Sequence, residues 1–134
     1  ALYGVYISLT SSVTVKRYRY FRNWCYVLQR IAGIVTLLFV IWHIYGTKLQ
    51  VELTGVDPSY AMVAGIVATP IELALFAIGL LCSIYHFCNG LWTFLITWGI
   101  TVSPRSQKIS GYVLFALFIA FAAFGLKALS AFAG

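Results

Sequence analysis

Charge is what this sequence has least of. Three residues in 134 are acidic and 9% are charged, against about a quarter in an ordinary soluble domain. With 62% hydrophobic residues and a mean hydropathy of +0.94, that scarcity excludes a water-exposed globular surface and points to a membrane protein. Cysteine is scarce and odd in number: Cys25, Cys82 and Cys88 form no CxxC pair and no CxxCH. A disulfide framework, a thiolate metal knuckle and covalent haem attachment are therefore not expected, and the thiols read as small buried hydrophobes. Internal repeats and low-complexity tracts are missing as well. So are an initiator Met, a charged n-region and a small-residue cleavage site, so Ala1 does not open a signal peptide. "ALYGVYISL" reads as the second half of a spanning helix, and the chain is expected to be an N-terminally incomplete single domain over 1–134.

What is present is apolar runs. Ala1 to about Ser12 is apolar but short, whereas Trp24–Thr47, Pro70–Ile100 and Ile109–Ala133 each exceed the roughly 20 residues a hydrocarbon core requires. Backbone groups in lipid must satisfy one another, so these runs are helices. The expected class is all-α: a transmembrane helical bundle with three full spanning helices plus the end of a fourth. Thr69-Pro70-Ile71-Glu72 has the pattern of a capping box with proline at the first helical position. Capping also accounts for Glu72 more simply than proton carriage does. Asp57-Pro58 opens a short interfacial segment, Ser59–Val67, and Ser103-Pro104 can start the last helix.

The formal charge of +6 does not point to nucleic acid, because its placement has a topological cause. Lys16, Arg17, Arg19 and Arg22 crowd the first loop, and Arg105 and Lys108 the third, while Glu52 and Asp57 lie in the second. By the positive-inside rule the first and third loops are cytoplasmic. Lys127 near the outer end reads as a snorkelling residue. Tyr18, Tyr20, Trp24 and Tyr26 form an inner aromatic belt, and Trp42 and Tyr45 an outer one.

Two histidines interrupt the apolar runs. Counted from the inner helix ends, His86 lies at roughly 20 Å and His43 at roughly 30 Å, a difference of about 10 Å. That is too far for the two to ligate opposite faces of one haem, so each would serve its own site with a partner from elsewhere. Helical spacing sets Gly79, Ser83, Gly90, Thr93 and Thr97 on the side of His86, and Ala32, Thr36, Val40 and Thr47 beside His43, with Gln29 one step further. Such small, weakly polar stripes admit a planar ring, and they are equally how membrane helices pack. A lone intramembrane His can be a packing residue, yet ionisable groups in a membrane are functional candidates by default. Haem fits two stacked His better than zinc, which lacks clustered acidic or Cys partners. Arg30, about 9 Å into its helix, either snorkels to inner headgroups or pairs with a haem propionate. No residue is assigned a catalytic role.

The stretches "YRYFRNWCYVLQRIAGIVTLLFVIWHIY", "IYHFCNGLWTF" and "TWGITVSPRSQKIS" closely resemble the cytochrome b membrane-anchor subunit of Bacillus-type succinate:menaquinone oxidoreductase (succinate dehydrogenase), and the similarity runs through nearly the whole chain. The resemblance implies a five-helix subunit of the bacterial cytoplasmic membrane with two haem b groups, each held by two His. His43 would be the ligand on the third helix, for the distal haem, and His86 that on the fourth, for the proximal one. Their partner ligands would precede Ala1. Ser83, Gly90, Thr36, Thr47, Gln29 and Arg30 are the further candidate cofactor contacts.

It also implies a function: electrons pass from the iron–sulfur subunit, fed by a flavoprotein subunit carrying FAD, through the haems to menaquinone. The first loop and Thr101–Lys108 would then dock the iron–sulfur subunit, and His43, Thr47 and Lys48 would neighbour the quinone. Ile84 occupies the position of a proton-carrying carboxylate in some related fumarate reductases, so that pathway is not expected. The rival readings are an anchor for a fumarate reductase or another quinone-linked di-haem enzyme, and a haem-free membrane anchor. Any oligomer of the complex is left open.

Overall fold

The computed structural model describes residues 2–10, 20–55, 57 and 59–132, and within them it is helical with no strand. The basic cluster Lys16, Arg17 and Arg19, together with Tyr18 and Pro58, lies outside the described residues. Helix α1 spans Leu2–Thr10. Helix α2, Phe21–Ile44, runs without a break into a π-turn, Tyr45–Leu49, and then α3, Gln50–Thr54. The short α4, Tyr60–Ile66, precedes two long helices, α5, Pro70–Thr97, and α6, Pro104–Ser130.

Among the described residues, three helical stretches are long and apolar enough to cross a membrane: Phe21–Thr54, Pro70–Thr97 and Pro104–Ser130. The chain is a multi-pass membrane protein. The second of its apolar runs had been expected to end near Thr47. The helix instead continues to Thr54, because Lys48 and Glu52 are exposed and cost it nothing, and it stops where Gly55 turns left-handed at φ 68°.

Local sequence explains the helix starts. Thr69 Oγ1 accepts from the Glu72 backbone N–H at 3.2 Å, and Glu72 Oε2 accepts from the Thr69 N–H at 2.9 Å. Ser103 and Ser106 exchange the same pair of bonds, each at 3.1 Å. In both boxes the cap residue is followed by proline at the first helical position, where a missing N–H costs nothing. Ser59 caps α4 by accepting from the Met62 N–H at 3.3 Å, so the expected short segment at Ser59–Val67 is present.

The core is a seam: α5 packs between α2 and α6. Against lipid the hydrophobic effect does not hold helices together, so close approach and interhelical hydrogen bonds must. On the α5–α6 side Gly125 lies against Leu80 and Gly111 against Trp92, whose Nε1 donates to the Gln107 carbonyl at 2.9 Å. On the α2–α5 side Tyr85 OH donates to the Cys25 carbonyl at 3.2 Å. Near the other end Tyr60 of α4 stacks on Phe132, ring centroids 4.9 Å apart, and donates to the Ala131 carbonyl.

Candidate prosthetic-group site

His86 meets α2 at Gly33. A Cβ at Gly33 would lie 2.9 Å from His86 Cε1 and 3.3 Å from Nδ1. The imidazole reaches past that glycine, so that Nδ1 is 3.2 Å from the Gln29 backbone carbonyl. A carbonyl can only accept, so the proton of this contact sits on Nδ1 and the neutral ring keeps a free lone pair on Nε2. The Gln29 side chain answers across the seam: Nε2 donates to the His86 carbonyl at 3.0 Å, and Oε1 accepts from Asn89 Nδ2 at 2.9 Å. Asn89 is 8% exposed, so these bonds satisfy an amide that would otherwise be costly at this depth.

Beside this contact lies an open-sided cavity of about 430 Å³, within the range of roughly 300–1,000 Å³ that small-molecule and cofactor sites occupy. Gly4 and Val5 of α1, Gln29, Arg30, Gly33, Thr36 and Val40 of α2, and His86 of α5 contribute to its wall. Arg30 half-buries its chain there, donates from Nη2 to the Ile7 carbonyl at 2.9 Å and lies 5.2 Å from the Tyr26 ring centroid. Thr36 is different from the other helical hydroxyls described. Thr10, Thr47, Thr54, Ser83, Thr93 and Thr97 each donate to a carbonyl one turn earlier. Thr36 Oγ1 is buried with no partner among the described residues, and its residue lines the cavity.

His43 sits on a second tier. From Gly33, at the level of the His86 ring, to His43 is ten residues of α2, or about 15 Å. The sequence-based separation of about 10 Å was smaller because α2 starts earlier and α5 ends earlier than the apolar runs suggest. His43 is packed in an aromatic box: Phe39 stacks on it at 5.9 Å and 21°, and Phe76 meets it edge-on at 5.5 Å and 74°. Its carbonyl accepts from Thr47 Oγ1, and its Nδ1 is buried without a hydrogen-bond partner. The π-turn begins two residues later, a distortion common beside functional positions.

The candidate residues thus separate into three groups. Gln29, Arg30, Thr36 and His86 share one cavity wall, while His43 and Thr47 occupy the other tier. Ser83 and Gly90 are part of the helix seam: Ser83 Oγ bonds the Gly79 carbonyl at 2.8 Å, and a Cβ at Gly90 would meet the Gln29 amide nitrogen at 3.1 Å. On α5 the small-residue stripe therefore serves helix packing, with Gly79 set against Phe39. Sequence reading missed Asn89, Gly33 and Phe76. Asn89 could have been found as the one amide in α5, three residues after His86 on a helix otherwise apolar through its centre.

Among the described residues no three His, Cys, Asp or Glu side chains come together, so each imidazole could offer a metal one ligand. The arrangement suits a group that brings most of its own coordination and takes an axial nitrogen from the protein.

The family model described as succinate dehydrogenase/fumarate reductase transmembrane subunit matches residues 11–125. The succinate dehydrogenase cytochrome b558 subunit of Bacillus subtilis (strain 168) is 48% identical over 132 residues, which is 98% of this chain and 65% of that protein. The chain therefore spans 65% of the length of the curated relative it matches. No solved structure matches it. The extent of both matches, on a multi-pass helical chain, makes it a member of the succinate dehydrogenase/fumarate reductase transmembrane subunit family.

Proposed function

We propose that this chain is the haem-binding membrane anchor of a bacterial succinate dehydrogenase, passing electrons from an iron–sulfur subunit through two b haems to menaquinone. His86 and His43 would hold the haems, one each, with the second ligand of each supplied elsewhere in the assembled membrane domain. The observation that carries the reading is the state of His86: Nδ1 is held by the Gln29 carbonyl at a cavity wall, leaving Nε2 as a ligand nitrogen. This is the usual form of a metal-binding imidazole, whose other ring nitrogen donates to a carbonyl or carboxylate.

The residues present fit a haem in three further respects. Thr36 Oγ1 and His43 Nδ1 are buried polar atoms without partners, one on each tier. Arg30 is a half-buried cation on the same cavity wall as His86, able to pair with a propionate. Phe39 and Phe76 enclose His43 with flat apolar surface, which restrains ring rotation and keeps water from its edge. Bound at these tiers, b haems supply one-electron carriage between Fe(III) and Fe(II). The protein's own part is to hold the imidazoles in fixed orientation, keep both tiers dry and neutralise propionate charge in lipid. The 48% identical relative is named for a succinate dehydrogenase, which favours that direction over fumarate reduction. The flavoprotein and iron–sulfur subunits are the partners of this reading, docking at the inner face where Arg22 and Arg105 lie.

The test is a dithionite-reduced minus oxidised spectrum, with haem quantitation, on the complex purified with its native partners. Two b haems are expected, with His86→Ala losing one and His43→Ala the other. Both haems surviving in either variant overturns the ligand assignment.

A further inference from the structure

Between α2 and α5 the same device occurs twice, once in each direction. In an α-helix the carbonyl of residue i accepts from the N–H of residue i+4, and a second donor can reach it only if the side chain at i+4 leaves room. Gln29 is followed four residues later by Gly33, and His86 four residues later by Gly90. Each carbonyl takes a second donor from the opposite helix. His86 Nδ1 reaches the Gln29 carbonyl at 3.2 Å, and Gln29 Nε2 reaches the His86 carbonyl at 3.0 Å. Each glycine stands where a methyl would meet the incoming donor: 2.9 Å from His86 Cε1 at Gly33, and 3.1 Å from Gln29 Nε2 at Gly90. Asn89 closes the arrangement by donating to Gln29 Oε1 at 2.9 Å, which leaves the Gln29 amide one orientation, with its NH₂ toward His86.

We infer that Gln29, Gly33, Gly90 and Asn89 form a reciprocal clamp that fixes the tautomer and ring angle of His86 and thereby sets the electronic properties of the iron it ligates. The inference rests on the reading of His86 as a haem ligand. The clamp adds control of the imidazole, because donation from Nδ1 makes Nε2 a more electron-rich ligand and favours the ferric state. Gln29, Gly33, Gly90 and Asn89 are positioning residues: none of them has to touch the iron.

The experiment uses the whole complex, with haem content, redox titration and low-temperature EPR of the ferric low-spin haems. Gly33→Ala, whose methyl displaces the His86 ring from the Gln29 carbonyl, is expected to keep both haems, to shift the midpoint potential of one to more positive values and to change its largest g value. Gln29→Leu keeps that carbonyl but loses the side-chain bonds to the His86 carbonyl and Asn89, and gives a smaller change of the same sign. The other haem stays at its native values and serves as the internal control. Gly90→Ala has a smaller effect than Gly33→Ala, since its methyl meets the Gln29 amide nitrogen at 3.1 Å, whereas a methyl at Gly33 meets the imidazole itself, 2.9 Å from Cε1. Gln29→Glu keeps the acceptor for Asn89 but loses the donor to His86, and gives a shift between those of native and Gln29→Leu. If Gly33→Ala does not assemble, Gln29→Leu and Gly90→Ala decide by the same readouts. Native potential and g values in these variants, where His86→Ala does lose a haem, overturn the clamp and leave the ligand reading standing. Retention of both haems in His86→Ala overturns the ligand reading itself.

Discussion

Gly79 has a hydrogen where any other residue would drive its Cβ into the Phe39 ring. That ring is the stacking partner of His43 and meets Phe76 edge-on at 4.9 Å, so the absence of one methyl on α5 sets the position of an imidazole on α2. Gly79→Ala cannot be absorbed by a flexible chain end, because the atoms in its way include Phe39 Cβ. Overpacking of this kind costs about 1–3 kcal/mol. On the proposed ligand assignment, the expected outcome is a lower Tm for the purified complex and an altered spectrum of the haem on the His43 tier, with the His86 tier unchanged. Phe39→Ala in the same chain removes the two nearest obstacles, Cγ and Cδ2, and restores part of the lost Tm, while the spectrum stays altered because the ring stacked on His43 is gone. An unchanged Tm together with an unchanged spectrum would show that Phe39 does not transmit the strain. The two glycines opposite α2 residues on α5 thus do separate things: Gly79 serves His43 through Phe39, and Gly90 serves His86 through Gln29.

Two of the long helices, α5 and α6, start at capping boxes. Glu72 is one of three acidic residues in the chain, at the end of a spanning helix, where proton carriage is a natural rival role. Its carboxylate is already engaged by the backbone N–H and the hydroxyl of Thr69, both at 2.9 Å. Glu72→Gln keeps an acceptor for the N–H and removes the titratable proton, so the two roles give opposite results. Quinone reduction within about twofold of native is expected if the residue only caps. A loss of tenfold or more, equivalent to about 1.4 kcal/mol at the barrier, would assign it to proton transfer. Thr69→Ala should cost about 1 kcal/mol of stability through the lost cap, read as a lower Tm in detergent with haem content unchanged.

At the scale of the whole molecule, few side chains of the three long helices are buried within this chain, as apolar faces completed by lipid and by other parts of an assembly would be. How much of this was legible depended on the distance over which each feature is decided. Spanning runs, the Thr69 capping box, the helix start at Ser103-Pro104 and the short helix before Pro70 follow from residues within one or two turns, and all are present. The join of α2 to α3 was misjudged because Lys48 and Glu52 look like a loop until their exposure on a helix is known. The clamp could not be read, since Gln29 and His86 are 57 positions apart and only the register of two helices brings their carbonyls and glycines together. The unbonded hydroxyl of Thr36 was likewise invisible, because threonine in a helix ordinarily bonds back to its own turn.

Orientation follows from charge placement at the same scale. Exposed Arg105 and Lys108 stand at the start of α6, and exposed Asp57 at the opposite end of the spans, between α3 and α4. Positive-inside bias then sets the α5–α6 turn in the cytoplasm and Asp57 outside. The native thiols give little background, since Cys25 and Cys88 are buried and Cys82 is half-buried. A membrane-impermeant maleimide should therefore label Asp57→Cys on intact cells, and Arg105→Cys only in inverted vesicles stripped of the peripheral subunits. The reverse pattern would turn the molecule over, and the iron–sulfur subunit would then face the end where Tyr60 packs on Phe132 rather than the end where Arg22 lies 5.7 Å from the Trp92 ring centroid.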